Sequence, residues 1–142
     1  MRIFRTVVYT VLILGITTVL VVKHNRRMQL LPAGGKSPAT IALAEAQEDR
    51  MPVWLLFHSS ICQAWAEMDK VYRKLKPEFQ GKVKFIEVDY DAPAEQELIR
   101  GFNVRLVPTS VFFKSDGRVF EKKIGAMKAD EAKAVLGRLQ RK

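Results

Sequence analysis

One cysteine, Cys62, in 142 residues excludes an internal disulfide, and with it the usual reading of a redox compartment from paired thiols. Histidine is almost as scarce. His24 and His58 lie in different regions, and neither has a second histidine or a cysteine at ligand spacing, so no metal site is expected. A phosphate loop, a nucleophile elbow and a recognition motif for DNA or RNA are all missing, which removes the basis for kinase, hydrolase and nucleic-acid readings and leaves no cofactor expected. Acidic residues are missing before residue 37, where Arg2, Arg5, Lys23, Arg26, Arg27 and Lys36 carry the charge. From residue 37 onward 18 basic side chains face 15 acidic ones, so most of the formal net charge of +9 belongs to the amino-terminal stretch and not to a nucleic-acid footprint.

Charge of either sign is missing from residues 7–22, an apolar run that with Ile3 and Phe4 approaches the roughly 20 residues needed to cross a bilayer. A cleaved signal peptide would need small residues at its cleavage site, but this run ends in Lys23-His24-Asn25-Arg26-Arg27; a core helix would carry more polar surface. Residues 1–29 are therefore expected to form an uncleaved single-pass membrane anchor, with residues 3–22 in the bilayer. Positive charge on the two flanks nearly balances, so the positive-inside rule does not orient the helix. The expected arrangement is a signal anchor, with a short basic amino terminus inside and an extracytoplasmic body. Residues 30–36 hold one proline and two glycines and read as a linker; residues 37–142 read as the folded domain.

Ser37 before Pro38 is a helix start, and the helix is expected over 39–49, ending before Pro52. Val53-Trp54-Leu55-Leu56-Phe57 is apolar without alternation, as in a strand covered on both faces. Ala64, Met68, Val71, Tyr72 and Leu75 then recur at helical spacing over 62–76, and the 77–81 region turns the chain. A second strand over 83–88 follows, then a short helix opened by residues 89–93, with Asp89 as its cap, ending near Gly101. Residues 111–113 and 119–124 flank Ser115-Asp116-Gly117-Arg118, a hairpin signal. Ala132, Val135, Leu136 and Leu139 mark one face of a closing helix.

Cys62 thus stands where a buried strand hands over to a helix. Backbone N–H groups at a helix start favour a thiolate, so the position suits a reactive sulfur, although a lone cysteine is more often a small buried hydrophobe.

The order helix, strand, helix, strand, helix, hairpin, helix resembles the thioredoxin fold over most of residues 38–140: an α/β fold with a central mixed sheet flanked by helices, here preceded by a single transmembrane helix. Cys62 follows the first strand by a short loop, as that family's attacking cysteine does. Val107-Pro108-Thr109 resembles its cis-proline loop, and Ile124-Gly125-Ala126 its glycine turn before the last helix. The resemblance implies that Val107, Pro108 and Thr109 flank Cys62 and offer backbone to an extended partner.

Two departures bear on function. The family signature is Cys-x-x-Cys, but this chain reads Cys62-Gln63-Ala64-Trp65, and the strand leading to the cysteine has none of the buried acid that family members often keep. Without a second thiol, Cys62 can form a mixed disulfide but cannot resolve it alone; a small external thiol or a protein partner has to finish the reaction. Trp65 is either a filler on the helix face or an aromatic partner surface, and His58, which could stabilise a thiolate if it reached the sulfur, reads first as a surface or core residue. Two functions follow: monothiol exchange or redox capture through Cys62 with protein thiols or disulfides, or a redox-inactive thioredoxin-fold module that binds a protein partner or stabilises a membrane assembly.

Overall fold

Five consecutive apolar residues cannot alternate between core and solvent, so the strand they build must be covered on both sides. In the computed structural model, which describes residues 15–16 and 37–141, β1 (Val53–His58) is that strand, and Val53 through Phe57 are fully buried. The remaining elements are α1 (Pro38–Glu48), α2 (Gln63–Glu78), β2 (Lys84–Asp89), a 3₁₀ turn (Pro93–Glu95), α3 (Gln96–Gly101), β3 (Thr109–Phe113), β4 (Val119–Ile124) and α4 (Ala129–Leu139). The sheet order is β2-β1-β3-β4, with β1 parallel to β2, antiparallel to β3, and β3 antiparallel to β4.

Side chains along β1 alternate between two apolar clusters. Val53, Leu55 and Phe57 pack with Leu43 of α1 and Leu98 of α3. Trp54 and Leu56 pack on the opposite face with Met68 and Tyr72 of α2 and Leu136 of α4. Trp54 anchors the second cluster, stacked on Phe112 at 5.3 Å and edge-on to Tyr72 at 5.1 Å, while its indole N–H donates to Ser110 Oγ at 3.0 Å, so its one polar atom is satisfied in the core.

Local chemistry explains most element ends. Ser37 caps α1 by accepting the Thr40 N–H at 3.1 Å, and the buried Glu95 accepts the Ser37 hydroxyl at 2.7 Å, tying the start of the domain to the 3₁₀ turn. Gly117, at φ +80°, makes the β3–β4 turn, where its N–H bonds the Lys114 carbonyl.

Three expectations needed correction. Helix α2 runs through Pro77 to Glu78: one residue from the helix end, proline forgoes its own bond and crowds the Arg73 carbonyl but does not stop the ladder, since the Phe79 N–H still closes on the Leu75 carbonyl. Ala64, placed on the apolar stripe of α2, is exposed in its first turn. Asp89 does not cap the helix that follows; its carboxylate accepts the Asp91 N–H two residues on, shaping the turn instead.

The chain divides into two units, residues 1–30 and 31–142. Gly15 and Ile16 are helical. The rest of the span expected over 3–22, and the linker over 30–36, lie outside the described residues. Among the described residues no helix is long and apolar enough to cross a membrane.

Tyr72 offers a test of the second cluster. Burial, reinforced by the charge of Glu87, pushes its phenol far above the ordinary value of 10.0, and its hydroxyl has no hydrogen-bond partner. The unfolded chain ionises Tyr72 near pH 10 while the folded chain keeps it neutral, so this contribution is intact below about pH 10 and is lost as pH rises further. Urea unfolding should show Tyr72→Phe within about 1 kcal/mol of wild type at pH 7 and losing less stability than wild type at pH 11. Parallel losses would mean the phenol is not held neutral by the fold.

Candidate functional site

Register sets the site. Phe57 pairs with Thr109, so the loop leaving β1 lies beside the loop entering β3, although some 45 residues of chain separate them. Cys62 occupies the position just before α2 with extended backbone (φ −84°, ψ 119°), and its own N–H bonds the Ser59 carbonyl at 3.1 Å. The half-buried Cys62 Sγ–H donates to the Val107 carbonyl at 3.5 Å, and the Val107–Pro108 bond is cis.

The structure brings Cys62, Val107 and Pro108 together and gives the other expected site residues different surroundings. Thr109 is buried in β3, and its hydroxyl donates to the Leu106 carbonyl at 2.6 Å, holding the shape of the loop. The Pro108 carbonyl accepts the N–H of Gly125, whose φ of +96° is one that glycine adopts without strain. Trp65, half-buried, lies along the edge of the Trp54 cluster and stacks on His58 at 4.0 Å with the rings 15° apart. It therefore packs as a filler while keeping part of its surface accessible.

The chain belongs to the thioredoxin-like family. The model for the thioredoxin-like domain matches residues 40–140, most of the chain. Thioredoxin O2 of Arabidopsis thaliana, solved in its oxidized state, is 26% identical, with a TM-score of 0.62 over 71% of this chain and 85% of that one. Thioredoxin-2, described as a component of malaria parasite protein secretion machinery, is 22% identical, with a TM-score of 0.58 over 62% of this chain and 82% of that one. At that identity the likeness extends to the fold alone. No sequence among curated proteins matches the chain.

In this thioredoxin-like domain several features of the site had no mark in the sequence. His58, half-buried, stacks on Trp65, with Nε2 4.0 Å from Glu87 Oε2 and Nδ1 buried without a partner. Ser59 is buried, and its hydroxyl donates to Asp91 Oδ2 at 2.5 Å. Ile61, Leu106 and Ile124 are 89%, 65% and 64% exposed. Ile61 precedes Cys62, Leu106 precedes Val107, and Ile124 pairs with Thr109, so all three neighbour residues of the two loops in chain order or register. Isolated apolar residues of this kind carry no periodicity that would announce them.

The His58–Trp65 stack should register as coupling. A double-mutant cycle with His58→Ala and Trp65→Ala, read by urea denaturation, is expected to give about 0.5–1.5 kcal/mol between the rings, and additive losses would show that they merely adjoin.

Proposed function

We propose that this protein is a membrane-tethered, thioredoxin-like protein that captures protein disulfides through Cys62. Residues 3–22 hold it in the membrane, with the domain on the extracytoplasmic side. The observation that carries the proposal is the 3.5 Å contact between Cys62 Sγ and the Val107 carbonyl beside a cis peptide bond. That contact joins a sulfur at a helix start to a strand-entry backbone on which an extended segment can lie. The exposed Ile61, Leu106 and Ile124 favour a protein partner over a small polar one, because an apolar rim of this kind gains from being covered.

In the reaction the Cys62 thiol loses its proton and its sulfur attacks one sulfur of the partner disulfide. The S–S bond breaks, the other sulfur leaves as a thiolate and takes up a proton, and Cys62 is joined to the partner by a mixed disulfide, with no net oxidation. Loss of the Cys62 S–H frees the Val107 carbonyl to accept a partner N–H. Resolution needs a second thiol, and Trp65 stands where such a thiol would be. An external small thiol or a thiol of the partner therefore attacks the mixed disulfide, releases the partner and regenerates Cys62.

Incubated with excess glutathione disulfide, the wild-type chain should gain one glutathionyl adduct by intact mass, and Cys62→Ser none. Trp65→Cys should convert the adduct into an internal disulfide without added thiol. A wild-type chain left unmodified both by glutathione disulfide and by a disulfide-bonded peptide would falsify the reading. A second reading, a redox-inactive module held at the membrane, draws on the lone sulfur and the same apolar rim; it is favoured if Cys62→Ser captures the same protein partner as wild type. Labelling of Cys62 by a membrane-impermeant thiol reagent in intact cells tests the side of the membrane: labelling is expected, and labelling only after permeabilisation contradicts the extracytoplasmic placement.

A further inference from the structure

The loop that carries Cys62 is tied to the exit of β2 by polar contacts that the capture chemistry leaves unexplained. Ser59 is 3% exposed, so its hydroxyl needs a partner inside the protein, and it finds one 32 residues away in Asp91 Oδ2 at 2.5 Å. A carboxylate acceptor makes this bond stronger than a neutral one. Asp91 is itself held, its N–H donating to Asp89 Oδ1 at 3.0 Å, and the neighbouring Tyr90 N–H donates to the His58 carbonyl at 2.7 Å. The Ser59 carbonyl in turn accepts the N–H of Cys62 at 3.1 Å. A continuous set of contacts therefore runs from the turn after β2 through Ser59 to the residue whose sulfur meets Val107.

We infer that Asp91 is a positioning residue for Cys62: through Ser59 it holds the turn that aims the sulfur at the Val107 loop, without touching the partner itself. The inference rests on Cys62 as the capturing thiol and adds the residue that orients it. Orientation matters for a partner that must lie along the Val107 loop while it reacts, because the attacking sulfur and the partner disulfide have to be aligned at close range. A small alkylating reagent, free to approach from any direction, makes no such demand.

The full chain is tested with a peptide whose single cysteine carries thionitrobenzoate. Attack by Cys62 on the peptide sulfur breaks the mixed S–S bond and releases thionitrobenzoate as a coloured thiolate, which reports the rate. Asp91→Ala and Ser59→Ala should each slow release by about three- to tenfold, and the double variant should be no slower than the slower single one, because both remove the same bond. Asp91→Asn retains an acceptor oxygen and should return the rate to within about twofold of wild type. Alkylation of Cys62 by iodoacetamide should stay within about twofold throughout, a readout that general loosening of the fold would move. Unchanged peptide rates in both single variants, losses that multiply in the double, or equal slowing of iodoacetamide would each overturn the inference while leaving capture by Cys62 standing. A wild-type chain that releases no thionitrobenzoate overturns the capture reading and this inference with it.

Discussion

The pairing of the end of β1 with the start of β3 is the constraint on which the rest of this structure depends. Cys62 and Val107 meet because the end of β1 and the start of β3 are neighbours in the sheet, paired through Phe57 and Thr109. That pairing is set by burial: β1 is apolar at every position from Val53 to Phe57, and only the centre of a sheet covered on both faces satisfies it. Fully burying each large apolar side chain contributes about 1.5–3 kcal/mol, far more than the weak S–H···O bond it positions. The core therefore fixes the geometry, and the sulfur contact is its consequence.

Around that contact the polar groups and the apolar groups have different tasks. The loops are shaped by local bonds: Thr109 to Leu106, Gly125 to Pro108, Ser59 to Asp91. These satisfy polar groups of the loops, while the large apolar side chains Ile61, Leu106 and Ile124 stay exposed. Trp65 fits the same division. The indole fills the space beside His58 and packs on the edge of the Trp54 cluster, so the first turn of α2 joins one cysteine to an aromatic side chain. That division suits the proposed capture, in which another thiol would cleave the bond to the partner.

Much of the fold was legible because it rests on periodicity. The unbroken run of β1, the buried face of α4 at Ala132, Val135, Leu136 and Leu139, and the Asp-Gly hairpin each express one local rule, and each stands where the sequence puts it. The pairing of Cys62 with Val107 was legible only through family resemblance, since nothing local connects residues so far apart. The missed features are those in which tertiary context outweighs propensity: Pro77 tolerated in a last helical turn, Asp89 spent on a turn and not on a cap, and the Ser59–Asp91 and His58–Trp65 contacts, which have no sequence period.

The central claim is that Cys62 and the Val107 backbone act as one site. The most direct measurement is a crystal structure of Cys62 joined by a mixed disulfide to a cysteine-containing peptide. The account predicts the peptide backbone extended alongside Val107, with a peptide N–H on the carbonyl that the thiol occupies in the free protein. A peptide held by the sulfur alone, its backbone turned away from Val107, would contradict it.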